Sequence, residues 1–556
     1  MTATLEAPAD AGGASDDVTD TDTAPPVLRP VPPALQAWHD PNPWLGRVLT
    51  LVVALAAGLT RFWALGSPPG LNHVPTNGMN FDEIYYATEA QELLRYGYED
   101  NRGFMFIVHP PVGKWLIAAG EWIEGVFSGS HSSTAYLSNS LGWRIMPAFF
   151  GCLGVVMIMR IARRMFRSNL FGFVAGALMT MEGMSLVLAR TAILDIFLQT
   201  FVIAAFGAMV LDRDTVRERL AHLVAAGADL SAGVPTLGPR PWRVIAGVML
   251  GLACGVKWTG VFFFVAFAIL CVFWDRAAFK AAGAHRPMRP WLRRSVLPAL
   301  GSLAATPLLT YLFCYLGWFA GENSWNRYGE TSFTSYSLFH IPLHWGWLPA
   351  PLKWLVTYHA DAYNFHKGLD SPHTYQSNPW SWLVLGRPVD FYYNGSQTTC
   401  GASSCSREIL LIGTPLMWWA FVPMLLWLAW HWFTTRDWRA GAVWVAFIAG
   451  WVVWFQDLKR TMFLFYMAPL VPFFVLGLTL ALGTLLGPAP ERDRHDPHPL
   501  TEADLHARRR RTWGAAVVGG YLGLVVIDFA WMWPLFTGGL LTTDQWHWRM
   551  WLPSWV

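Results

Sequence analysis

The chain has 556 residues, 54% of them hydrophobic and only 14% charged. Ordinary soluble domains carry about 25% charged residues, so the composition excludes a soluble globular protein and indicates a polytopic membrane protein. A formal net charge of +3, with no basic run interleaved with aromatics, excludes a nucleic-acid binder, and the absence of a P-loop, a glycine-rich strand–helix turn or a spaced Cys/His set argues against nucleotide or zinc chemistry.

In chain order, residues 1–40 are rich in Ala, Pro, Asp and Thr and lack apolar periodicity, which predicts a disordered cytoplasmic tail. They lack the basic, apolar and cleavage-site sequence of a signal peptide, so the first span acts as an uncleaved anchor. Residues 41–556 are then expected to form a single membrane domain. Apolar stretches near 45–66, 141–162, 169–185, 187–211, 243–257, 259–275, 295–319, 408–433, 440–456, 461–486 and 513–535 predict an all-α fold with about eleven transmembrane helices. The nearly continuous runs 169–211 and 243–275 are each too long for one span and are divided in two.

Lys and Arg mark cytoplasmic loops. Five basic groups do so here: Arg160 to Arg167, Arg213 to Arg219, Arg276 to Arg294, Arg436 with Arg439, and Arg492 with Arg494 and Arg508 to Arg511. Placing them inside predicts a cytoplasmic N-terminus, an extracytoplasmic C-terminus, and external segments at 67–140, 320–407 and 536–556. Cys400 and Cys405 fall in the second external loop, where an oxidising exterior permits a local disulfide. The 33 Trp residues suit the membrane–water interface, and their flat faces also suit sugar rings. The stretch Leu352–His359 is amphipathic and is expected on the membrane surface.

The charges outside the basic loops collect at one boundary. Asp82 and Glu83 follow span one, Arg144 lies near the outer end of span two, Arg190 and Asp195 open span four, and Lys257 ends span five. Asp457, Lys459 and Arg460 form a tight turn between spans nine and ten. A charge near hydrocarbon costs free energy, about 2.5–3.5 kcal/mol at a helix centre. Either these groups neutralise one another in structural pairs, or they serve chemistry on an anionic lipid. In the second case cations bind the lipid phosphate and stabilise it as it leaves, and a carboxylate takes the proton of an incoming hydroxyl. No metal or other cofactor is required by that scheme, since the cations supply the electrostatics.

The motifs Asn80-Phe81-Asp82-Glu83-Ile84-Tyr85-Tyr86, Val108-His109-Pro110-Pro111-Val112-Gly113-Lys114-Trp115, Gly142-Trp143-Arg144-Ile145-Met146-Pro147 and Ala189-Arg190-Thr191-Ala192-Ile193-Leu194-Asp195 occur in this order. With Gly255-Val256-Lys257-Trp258-Thr259-Gly260 and the run His373–Trp382, they resemble the protein O-mannosyltransferases of the GT-C superfamily, in the actinobacterial style. The resemblance implies a GT-C membrane fold and an inverting transfer of mannose from polyprenyl-phosphate-mannose to Ser or Thr hydroxyls of exported proteins, at the extracytoplasmic face of the cell membrane. It implies as partners the donor lipid, Ser/Thr-rich acceptor proteins, membrane lipids and the protein export machinery. By position, Asp82 matches the general base, Glu83 the neighbour that places the acceptor or the base, and Arg144 a functionally important arginine. Arg190 and Lys257 are assigned to the donor phosphate on predicted depth and charge. His109 and Lys114 belong to the proline-stiffened motif, where His109 either caps the turn or faces substrate. His373, Tyr375 and Trp380 either line an acceptor groove or anchor the loop. Two departures stand out. The segment 320–407 is too short for the MIR domain of eukaryotic members, and Ile107 stands where those members often carry an acid. The alternative is a GT-C transferase with a lipid-linked sugar and a glycan or lipid acceptor.

Overall fold

The computed structural model describes residues 30–36, 38, 40–66, 78–100, 108–129, 131, 139–231, 233–328, 335–338, 341–344, 347–397, 400–487 and 501–556. Most of the expected disordered tail, Ile107, and Arg492 with Arg494 lie outside them. Of the stretch expected to be a disordered tail, residues 30–36, 38 and 40 are described. Pro33–Leu35 form a 3-10 turn, and Leu35 is buried against Val216, Leu220 and Phe279.

Asn42 opens α1 (Pro43–Phe62), its side chain accepting from Leu45 N. Two helices that are not among the membrane-length ones follow, α2 (Glu83–Tyr96) and α3 (Val112–Ser128), each closed by a glycine in the left-handed region, Gly97 at φ 79° and Gly129 at φ 68°. Then come α4 (Ser140–Phe166), α5 (Asn169–Thr180), α6 (Gly183–Ala189), α7 (Asp195–Ala225), α8 (Pro241–Val256) and α9 (Gly260–Ala281). The span α10 (Met288–Cys314) contains two π-helical stretches, Leu292–Val296 and Gly301–Ala305. After α11 (Ala350–Lys367), the second half supplies α12 (Pro415–Thr435), α13 (Trp438–Gln456), α14 (Leu464–Leu486) and α15 (Glu502–Thr537).

Among the described residues nine helices are long and apolar enough to cross a membrane, and the pair α5–α6, bent by 63°, makes a tenth if counted as one span. The eleventh expected span corresponds to α8, which is apolar but has only 16 residues. The α5–α6 break has a local cause. Glu182 is fully buried there and caps α6 by accepting from Met184 N and Ser185 N, while the Trp418 indole donates to the same carboxylate. The helices α7 and α14 are buried over most of their apolar length, whereas α1, α10 and α15 leave most of theirs exposed. The first two form the centre of the bundle and the other three its lipid-facing rim.

The chain is mostly helical, but the all-α expectation omits two small antiparallel sheets. One pairs β1 (Ser335–Leu338) with β2 (Ile341–His344). The other runs β3 (Val389–Gln397), β4 (Cys405–Leu411), β5 (Leu540–Thr542), with Tyr393 opposite Glu408 and Cys405 opposite Thr542. The span expected from residue 408 therefore starts at Pro415, because 405–411 is spent on β4. Cys400 and Cys405 form a disulfide beside this hairpin. At the other end of the bundle Arg240 bridges Asp212 and Asp275, and Arg164 pairs with Asp214 at 2.6 Å.

Close helix crossing rests on glycine at Gly247 in α8, where an added Cβ would lie 2.0 Å from the Ser302 carbonyl oxygen of α10. Gly247→Leu is expected to destabilise the bundle by about 1–3 kcal/mol or more by overpacking, read as a lower melting temperature of the detergent-solubilised protein.

Candidate active site

Phe81 adopts the left-handed region at φ 48°, a conformation that costs a non-glycine residue about 1–3 kcal/mol. Aromatic packing holds it there. Its ring stacks on Phe391 with centroids 4.8 Å apart, and Phe463 and Phe465 meet it edge-on at 6.0 Å each. The turn sets Asp82 at the N-cap of α2, where its carbonyl accepts from Tyr85 N and Tyr86 N but its side chain makes no cap bond. The Asp82 carboxylate has no hydrogen-bond or ion-pair partner among the described residues. It faces a cavity of about 780 Å³. Burial pushes its pKa up to about 6, against the nearby Lys257 and with help from Asp195.

Glu83, one residue on, has the opposite fate. It is fully buried and does not line the cavity. Arg144 donates to it through Nε at 2.7 Å and Nη2 at 2.6 Å, and it accepts from Ala192 N and Asn80 N at 2.8 Å each. Glu83 is thus a positioning residue that fixes the turn presenting Asp82.

The expected cations divide in the same way. Arg144 does not reach the cavity, because Glu83 and the carbonyls of Leu65 and Gly78 occupy its guanidinium. Arg190 does not reach it either, donating instead to the carbonyls of Thr60, Arg61, Trp63 and Ala64, the open C-terminal end of α1. Lys114 is buried between Glu89, at 2.9 Å, and Glu99, so it ties α2 to α3 and is not a surface for an acceptor. Lys257 does line the cavity, paired with Asp195 at 2.6 Å.

His109 and His373 both line the cavity. His109 is packed 5.2 Å from His366 and 6.1 Å from Tyr86, and burial, with Lys257 adding to it, lowers its pKa well below the usual value and keeps it neutral. His373 sits edge-on to Phe463 at 5.0 Å. Tyr375 is directed away, its hydroxyl donating to Asp390 at 3.2 Å, and Trp380 is exposed and outside the lining. The amphipathic α11 does more than lie on a surface. Its His359 stacks on Trp258 of the cavity wall and bonds Tyr311, and its His366 enters the lining.

Two lining residues are absent from the expected site: His366, and Arg460, which the sequence places only among the charges of the outer boundary. Both line the cavity. The signal for Arg460 was its place between two spans; for His366 nothing local marks it. Among the described residues no group of three or more His, Cys, Asp or Glu side chains is placed to hold a metal ion.

The chain is thus a polytopic helical membrane protein whose cavity gathers Asp82, with no partner among the described residues, and the cations Lys257 and Arg460. The profile described as dolichyl-phosphate-mannose-protein mannosyltransferase matches residues 51–315. The profile of the C-terminal four-transmembrane region of protein-O-mannosyltransferase matches residues 351–555. A polyprenol-phosphate-mannose–protein mannosyltransferase of Mycobacterium tuberculosis is 40% identical over 95% of this chain and 96% of its own length. The corresponding Corynebacterium glutamicum protein is 35% identical over 95% and 96%. The fold is that of a chain in the Saccharomyces cerevisiae Pmt1–Pmt2 complex bound to the sugar donor, with a TM-score of 0.65, 15% identity and 92% of each chain covered. The chain belongs to the dolichyl-phosphate-mannose-protein mannosyltransferase family.

Breaking the buried Glu83–Arg144 pair leaves one charge uncompensated, which costs about 3–5 kcal/mol. Glu83→Gln is therefore expected to lower the melting temperature of the purified protein strongly, whereas Asp82→Asn, at a site with no partner, is expected to leave it unchanged or raise it.

Proposed function

We propose that this protein transfers mannose from polyprenyl-phosphate-mannose to Ser or Thr hydroxyls of exported proteins, with inversion at the anomeric carbon. The observation that carries this reading is Asp82, a carboxylate without a partner beside a Lys257–Asp195 pair in one cavity. The named activity of the mycobacterial and corynebacterial relatives supports it.

In this scheme the acceptor oxygen bonds to C1 of mannose as the bond from C1 to the phosphate oxygen breaks. The electron pair leaves with the phosphate, giving polyprenyl phosphate. The hydroxyl proton passes to Asp82, which sits at the helix N-cap without using its side chain as a cap, so its oxygens remain available. Cationic charge facing the cavity, Lys257 included, offsets the charge that grows on the leaving phosphate. The neutral histidine His109, which lines the cavity, can hydrogen-bond a sugar hydroxyl without adding charge.

We place the reaction at the extracytoplasmic face of the plasma membrane, with the N-terminus inside and the C-terminus outside. Arg163 and Arg164 in α4, Arg213 in α7 and Arg240 at the start of α8 lie toward the ends of these helices opposite Arg144, Asp195 and Lys257, as the positive-inside rule expects of a cytoplasmic end. The Cys400–Cys405 disulfide beside the β3–β4 hairpin suits an oxidising compartment. Acceptors would meet the site as they emerge from the export machinery.

The test is transfer of labelled mannose from polyprenyl-phosphate-mannose to a Ser/Thr-rich peptide. Wild-type membranes are expected to label the peptide, and Asp82→Asn to reduce the rate by about 10²–10⁴-fold, the usual worth of a general base. Label entering a glycan or lipid and not the peptide would replace the acceptor class. The pH profile follows from the raised pKa. A base must be ionised, and Asp82 ionises through about pH 6. The rate is expected to rise between pH 5 and pH 7 and then level, and a rate already flat at pH 5 would rule out Asp82 as the base.

A further inference from the structure

Four of the cations near the cavity are occupied from within the protein. Arg144 is paired with Glu83, Lys114 with Glu89 and Glu99, and Lys257 with Asp195, while Arg190 is held by four carbonyls. Arg460 differs. It lines the cavity, and among the described residues it forms no ion pair. Asp457, in the same turn, is exposed and accepts from Lys459 N. The partners of Arg460 are neutral. Nε donates to the His366 carbonyl at 3.1 Å, and Nη1 donates to the Thr461 carbonyl at 3.3 Å and to the Tyr466 hydroxyl at 3.2 Å. The guanidinium carbon lies 5.5 Å from the Tyr466 ring centre and 5.8 Å from that of Trp454. Its remaining nitrogen, Nη2, meets only a long contact at 3.4 Å with Nδ1 of His366.

His366 is fixed in turn. Its Nε2 lies 3.0 Å from the Val108 carbonyl, to which it donates, which leaves Nδ1 as the acceptor facing Arg460. Burial, chiefly, lowers the His366 pKa to about 4, so the ring is neutral and does not repel the guanidinium. A half-buried guanidinium without a counter-ion, walled by aromatic faces and with one nitrogen left toward an open cavity, is built to receive an anion. Its planar fork matches phosphate oxygens.

We propose that Arg460 binds the phosphate of the lipid donor, and of the polyprenyl phosphate product, with His366 as its positioning residue. This rests on the transfer reaction proposed above. Lys257 enters the site already partnered by Asp195, so Arg460 supplies the cation that is uncompensated until the lipid arrives. Once bound, the phosphate receives charge-assisted hydrogen bonds from Nη2, and these strengthen as the bond from C1 to the phosphate oxygen breaks and charge builds on the leaving oxygen.

The experiment compares wild type, Arg460→Gln, Arg460→Lys and His366→Phe in detergent. It measures steady-state transfer to peptide and direct binding of a short-chain polyprenyl phosphate. Arg460→Gln is expected to lower kcat/KM for the donor by about 10²–10³-fold, the cost of deleting one charge-stabilising donor, and to weaken polyprenyl phosphate binding at least tenfold with peptide KM unchanged. Arg460→Lys keeps the charge without the fork and should recover part of both losses. His366→Phe retains the ring and the carbonyl that Nε uses, and should raise donor KM more than it lowers kcat. A measurement on the unmodified chain guards against a variant that fails to fold. Phenylglyoxal labelling of Arg460, followed by mass spectrometry, should be slowed by polyprenyl phosphate and not by the corresponding prenol. Wild-type binding by Arg460→Gln, or labelling unaffected by polyprenyl phosphate, would overturn the assignment while leaving the transfer reaction standing. A wild-type protein that binds no polyprenyl phosphate would instead remove the proposed function itself.

Discussion

The bidentate pair between Glu83 and Arg144 is the constraint on which the rest of the cavity end depends. One carboxylate accepts from α4 through Arg144, from the α6–α7 connection through Ala192 N, and from its own turn through Asn80 N. Arg144 also holds the carbonyls of Leu65, just after α1, and Gly78, just before the Phe81 turn. Both side chains are almost fully buried, at 0% and 1% exposure. A buried ion pair is tolerable only when its remaining donors and acceptors are satisfied, and here backbone groups from three segments satisfy them. The strained Phe81 turn is then held from one side by this pair and from the other by a cluster of phenylalanine rings. Two adjacent carboxylates thereby acquire opposite roles: Glu83 is consumed by structure, and Asp82 is left without a partner.

The same economy governs the other charges within the bundle. Helices that end inside a membrane protein expose carbonyls that water cannot reach. Arg190 takes those at the end of α1, and Arg61 takes the Met179 and Thr180 carbonyls at the end of α5. Glu182 performs the matching task for amide groups at the start of α6. These residues explain why charge is retained in apolar surroundings without any contact with a ligand. What faces the cavity is a small set: Asp82, the Lys257–Asp195 pair, Glu89, the separate charges Arg460 and Asp457, and histidines of which two are held neutral by burial.

The described parts of the second long loop are tied to the bundle. The helix α11 runs from the aromatic group around Tyr315, Trp318 and Tyr358 to the cavity, where His366 enters. The β3–β4 hairpin adds Phe391 beneath Phe81, and β5, near the end of the chain, pairs with β4. A loop that would otherwise be free to move is in this way stitched to the bundle and supplies part of its wall.

Hydropathy located the apolar helices, because a stretch of about 20 apolar residues has few other uses, but not their limits: 187–211 was expected where α7 runs Asp195–Ala225, and 513–535 where α15 runs Glu502–Thr537. The acidic pair after the first span, the proline-stiffened motif and the cationic motifs were also visible as residue types in order, and with them the family. Two things were hidden. Short strands such as 405–411 read as the start of a membrane helix, since β4 is apolar and runs directly into α12. The pairing of charges was hidden as well. Arg144, Arg190, Lys114 and Lys257 look equivalent in a sequence, and only packing shows that the first three are spent on a carboxylate or on carbonyls while the last faces the cavity. The sequence by itself determined a multi-pass membrane protein of this family. The tertiary structure decided which charges are free to act, because a charge's availability depends on neighbours distant in the chain: Glu83 and Arg144 are 61 residues apart and Asp195 and Lys257 are 62.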